Sequence, residues 1–125
     1  MMSVIAIFIW AVLPFSTEVK CTEHRTGTFS LKDESLGSDH LIVRTDSIQT
    51  ETDLKTGAKS KYRVTWVTDC EYELNIIEGG PEIMDFYRDK TLIIQIMDTT
   101  KDGYRFQGFI KGTDRVVTQV LKRVK

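Results

Sequence analysis

Apolar and polar side chains alternate with a period of two over most of this chain. The cleanest run is Cys70 to Ile76. There Cys70, Tyr72, Leu74 and Ile76 fall on one face, and Glu71, Glu73 and Asn75 on the other, as in a half-buried strand. Just before it, Tyr62, Val64 and Trp66 alternate with Arg63, Thr65 and Val67. Thr68 and Asp69 leave room between the two runs for a tight hairpin or a bulged bend. Later runs cover Leu92–Met97, Tyr104–Lys111 and Arg115–Val124, and three shorter ones cover Gly27–Lys32, His40–Thr45 and Ser47–Asp53. The links carry turn chemistry: Lys55–Thr56–Gly57, Lys101–Asp102–Gly103 and Lys111–Gly112–Thr113–Asp114. Asp-Gly at 102–103 is a hairpin signal.

One segment departs from the alternation. Gly79–Gly80–Pro81 ends a strand, and Ile83, Phe86 and Tyr87 then recur at helical spacing, with acidic residues in the first turn and Arg88 in the last. That pattern predicts one or two helical turns over residues 82–88, plugging one end of the sheet. Seven or eight strands joined by hairpins predict an all-β fold, a small antiparallel meander closed as a barrel or curled as a sandwich. Within it Trp66, Tyr72 and Leu74 are expected to be buried, and Glu71 and Glu73 to face solvent.

The N-terminus has another pattern. Met1 to Phe15 is almost wholly apolar, Ser16–Lys20 is polar, and Cys21 follows. An apolar run of roughly 13 residues suits the core of an export signal and falls short of the ~20 that span a bilayer. Pro14 interrupts any helix there. Residues 1–20 are therefore expected to be a signal peptide, with the mature chain in the periplasm or outside the cell. An uncleaved short anchor and a lipidated Cys21 are the other readings of the same run. Cys70 is the second of the two cysteines. In an exported chain an isolated pair is expected to be oxidised. The bond would close a loop of about 50 residues, worth on the order of 4 kcal/mol. Residues 21–125 then make one domain.

The formal net charge is −1, so this is no polycation built for nucleic acid. Basic side chains concentrate in residues 101–125, where they would blunt an exposed strand edge or attract an anion. His24 and His40 lie in polar surroundings without a four-ligand set, which argues against zinc. No nucleophile elbow, P-loop or dinucleotide fingerprint is present. Glu71 and Glu73 read as a solvated strand face in preference to an acid pair. These residues point to no catalysis, no metal and no cofactor.

The unusual stretch is Arg44–Glu51, which is β-rich yet polar on both faces. In a barrel it suits a strand lining a wet lumen or crossing the mouth, where Arg44, Gln49 and Glu51 would hold a polar group of a ligand. The same composition suits an exposed edge hairpin ending at Gly57. Trp66 and Tyr72 are the aromatic candidates, either as core or as a ligand platform.

Taken in order, Cys21, Thr26–Phe29 (TGTF), Arg44–Glu51 (RTDSIQTE) and Trp66–Leu74 (WVTDCEYEL) resemble a family of small exported proteins of Bacteroidetes-type bacteria. That family has no established activity to carry over. Some members bear a label as a DNA topoisomerase subunit, an enzyme too large for 125 residues without a nucleotide motif. Gly27–Thr28–Phe29 also resembles the G-x-W opening of lipocalin-like barrels, with Phe in place of Trp. That likeness implies a barrel binding a small molecule or peptide. The alternative is a structural or interaction protein of the cell envelope with a filled interior.

Overall fold

The structure is a computed structural model that describes residues 20–35 and 37–124. The apolar run of residues 1–15 and most of the expected signal peptide lie outside the described residues. A 3-10 turn at Cys21–His24 precedes β1 (Gly27–Asp33), β2 (Ser38–Arg44), β3 (Ile48–Asp53), β4 (Lys59–Thr68) and β5 (Glu71–Glu78). The helix α1 (Pro81–Tyr87) follows, then β6 (Leu92–Thr100), β7 (Gly103–Ile110) and β8 (Val117–Arg123). Each strand pairs antiparallel with the next, and β8 returns to β1, so the eight strands form a closed up-and-down barrel. The choice between barrel and sandwich falls to the barrel.

Alternation decides what fills the interior, because every second side chain along a barrel strand points inward. Phe29, Ile42, Tyr62, Val64, Tyr72, Leu74, Ile94, Ile96, Tyr104, Phe106 and Leu121 form the buried core with Cys21. Tyr72 and Leu74 are buried as the period-two pattern requires. Trp66 is only half-buried and packs on the rim of the core, where the Arg25 guanidinium lies 4.6 Å from its ring centroid. Glu71 and Glu73 sit on the outer face at intermediate exposure, and Glu71 accepts a hydrogen bond from Gln95 Nε2 at 3.0 Å on the adjacent strand.

The edge-hairpin reading of Arg44–Glu51 is overturned. β3 pairs with β2 on one side and β4 on the other, so it has no free edge. Its polarity on the inner face has another cause, a hydrogen-bonded network described below. The helix prediction needs a smaller correction. α1 opens with Pro81 in its first turn, where a missing N–H costs nothing. Ile83 and Tyr87 are partly covered, but Phe86 is 51% exposed and makes an edge-to-face contact with Tyr87 at 4.7 Å.

A meander puts alternate turns at opposite ends. One end carries the β2–β3, β4–β5 and β6–β7 turns, and the 3-10 turn seals it. The Cys21–Cys70 disulfide, with Cα atoms 5.2 Å apart, ties that turn to the β4–β5 hairpin. The other end carries the β1–β2, β3–β4 and β7–β8 turns and the α1 connection. The β1–β8 seam is asymmetric: among the described residues Phe29 pairs with Arg123 and Ser30 with Lys122, and Val124 N–H donates to the Thr28 carbonyl at 2.7 Å, all next to the sealed end. Toward the other end the two strands part.

Candidate ligand site at the open end

The sealed end holds the charge that the β2–β3 turn carries inward. Arg44 is 1% exposed, and an isolated buried guanidinium is costly unless its donors are met. Here all are met. Nε donates to the Arg25 carbonyl (3.0 Å), Nη1 to Gln49 Oε1 (2.9 Å) and Tyr72 Oη (3.0 Å), and Nη2 to the His24 carbonyl (2.9 Å) and Tyr104 Oη (2.7 Å). Five bonds saturate the five N–H groups of an arginine. The group also lies 4.7 Å from the Tyr72 ring centroid and 4.8 Å from that of Phe29. Burial alone would lower its pKa. The Tyr72 and Tyr104 phenols outweigh that and move it up, so the charge is permanent. Burial raises both phenols in turn, against the opposing pull of Arg44.

The 3-10 turn fits this end because its Glu23 and His24 carbonyls accept hydrogen bonds from guanidinium groups. A second guanidinium, Arg123, donates to the Glu23 and Thr26 carbonyls at 2.8 and 2.9 Å. His24, 1% exposed, donates from Nε2 to the Thr100 carbonyl at 2.7 Å, leaving Nδ1 to accept from Arg123 Nε at 3.4 Å. No alternation or motif around His24 marks it as the core residue it is.

From Arg44 a polar chain runs along the inner face of β3 toward the open end. Gln49, 2% exposed, accepts from Arg44 at Oε1 and donates from Nε2 to Glu51 Oε2 at 2.8 Å. The guanidinium therefore orients the amide, and the amide in turn holds the carboxylate. Burial raises the Glu51 pKa, opposed by the Gln49 hydrogen bond and by the charges of His40 and Arg44. The same carboxylate, after burial, helps raise the phenols of Tyr62 and Tyr87, so its field reaches across the mouth.

Glu51 lines a cavity of about 470 Å³ at the open end, together with His40, Asp53, Ser60, Pro81 and Ile83. Period two explains the set: His40 and Arg44 share the inner face of β2, and Gln49, Glu51 and Asp53 share that of β3. A second cavity of about 370 Å³ is lined by Tyr87, Ile94, Phe106, Gly108 and Val117 among others. It exists partly because Gly108 points inward without a side chain. A Cβ there would lie 3.3 Å from Ile94 Cδ1. The first turn of α1 lines one cavity and the last turn lines the other.

Of the five residues singled out from sequence as ligand contacts, Glu51 alone lines the 470 Å³ cavity. Arg44, Gln49, Tyr72 and Trp66 gather at or near the sealed end, where Arg44 bonds Gln49 and Tyr72 and lies 5.9 Å from the Trp66 ring centroid. His40, Asp53 and Ile83 were missed at the mouth. Extending the parity of Arg44 back along β2 and of Glu51 forward along β3 reaches the first two. No helix among the described residues is long and apolar enough to cross a membrane as a helix. No protein-family model matches the chain, and no curated protein or solved structure matches it.

Proposed function

We propose that this protein is an exported, non-catalytic binding module that takes a small, partly apolar ligand into the open end of its barrel, in the manner of lipocalin-like proteins. The observation that carries the reading is the contrast between the two ends. One is sealed by a disulfide, two guanidinium clusters and a packed aromatic core. The other keeps cavities of about 470 and 370 Å³ beside α1, within or near the range of small-molecule sites. An eight-stranded barrel has room for one small ligand once its interior is not filled by side chains. The disulfide fits an oxidising compartment.

Titration with the neutral fluorophore N-phenyl-1-naphthylamine tests this reading. Saturable fluorescence enhancement is expected, and Gly108→Leu, which fills the apolar cavity, is expected to weaken it at least tenfold. Absence of enhancement, or enhancement indifferent to Gly108→Leu and to a bulky residue at Ile83, would overturn the proposal.

A further inference from the structure

Building on the proposed binding function, we infer that the mouth cavity selects an amphiphilic amine, with Glu51 as the counter-ion of the ligand's ammonium group. The argument starts from which charges at the mouth are still available. Arg44 cannot greet an anion, because its five donors are spent inside the core. Glu51 differs. Among the described residues its carboxylate takes one hydrogen bond, from Gln49, and it lines the cavity. Further carboxylates at the same rim come from Asp53 and Glu82, against the ammonium of Lys59.

Geometry adds a second point. His40 Nδ1 is buried at the cavity wall with no hydrogen-bond partner among the described residues. His40 and Glu51 are diagonal neighbours on the inner face, since Ile42 pairs with Glu51 and His40 with Asp53. A primary ammonium carries three donors, so one group can bond Glu51 and still turn a donor toward the unpartnered His40 Nδ1. A carboxylate head offers acceptors only and would meet Glu51 as a like charge. Ala58, Pro81 and Ile83 supply the apolar wall for the ligand's body.

The carboxylate is also held in place. Gln49 is oriented by Arg44 on its oxygen side, so its N–H₂ group must face Glu51. A fixed, partly desolvated counter-ion binds an ammonium more strongly than a mobile surface acid does.

The experiment compares octylamine, octanol and octanoate, which share one apolar chain, by calorimetry on the full chain at pH 7. Octylamine is expected to bind at least tenfold more tightly than octanol, and octanoate most weakly. Glu51→Gln keeps the shape and the Gln49 contact, and it is expected to reduce octylamine to the level of octanol. Glu73→Gln, on the outer face of the barrel and outside the cavity, is expected to change the octylamine affinity less than threefold. If octanol binds and octylamine gains nothing over it, or if Glu51→Gln leaves the preference intact, the inference falls while the binding function stands. If none of the three binds, both fall. Should Glu51→Gln not fold, the ranking of the three ligands on the unaltered protein still decides.

Discussion

The Arg123 guanidinium lies 5.0 Å from the centroid of the Phe29 ring, joining the last strand of the barrel to the first. The same side chain donates to the Glu23 and Thr26 carbonyls, so one residue fastens the seam and the sealing turn. Gly27 makes room for it. Its φ of +143° disfavours any side chain, and a Cβ would stand 2.5 Å from Arg123 Nη1. Arg123→Ala is expected to cost about 2–4 kcal/mol from lost charge-assisted hydrogen bonds and ring contact. Gly27→Ala is expected to cost about 1–3 kcal/mol through strain. Urea denaturation measures both. Loss below 0.5 kcal/mol for Arg123→Ala, within the ~0.5 kcal/mol of ordinary surface changes, would show that the seam does not depend on it.

Arg44 is predicted to be the residue least tolerant of change inside the barrel. Arg44→Met keeps much of the volume but strips partners from two carbonyls, two phenols and Gln49. The expected loss is about 3–5 kcal/mol, since each stranded buried acceptor costs about 1–3 kcal/mol. Tyr72→Phe removes one of those contacts and is expected to cost about 1–2 kcal/mol. Thermal melting ranks the two, and equal effects would contradict the network.

Glu51 gives a pH dependence whose sign follows from its raised pKa. The folded state binds this proton more tightly than the unfolded state. Its contribution is therefore greatest at low pH and is lost as pH rises from the ordinary carboxylate range through the raised value. Glu51→Gln has no such loss. The melting temperature of the unaltered protein minus that of Glu51→Gln is thus expected to fall between pH 4 and pH 7. A difference that grows with pH would mean attraction to Arg44 outweighs desolvation.

The disulfide is expected to matter to stability more than to shape. Cys70→Ala should lower stability by about 2–4 kcal/mol by the chain-entropy account, with the far-ultraviolet spectrum of a β protein preserved. Thiol labelling of the denatured, unreduced protein should find no free cysteine, and two labelled sites would contradict the Cys21–Cys70 bond.

The all-β class, the hairpin turns, the short helix and the cysteine pairing were legible because each rests on local pattern: alternation at Cys70–Ile76, Asp102–Gly103, Gly79–Pro81, two lone cysteines. Closure into a barrel was not. It depends on β8 meeting β1, and no local signal marks that pairing. The Arg44–Glu51 stretch was legible as unusual and illegible in depth. Composition cannot separate a solvated strand from one whose polar groups satisfy each other in the core. That distinction rests on Tyr72, Tyr104 and the carbonyls of residues 24 and 25, all distant along the chain. His24 and Phe86 fell the other way. The polar neighbourhood of the histidine carries no periodic signal of burial, and helical spacing suggested cover for the phenylalanine.

The short seam between β1 and β8 has a mechanical meaning. Backbone pairing there stops at Ser30 and Lys122, and from that point to the rim a groove of about 280 Å³ separates Ser30, Lys32 and Glu34 from Val120 and Lys122. Splaying the rim at this line breaks no ladder bond between the two strands. The barrel is thus a clasp fastened by ladder pairs beside its sealed end and by none from there to the rim.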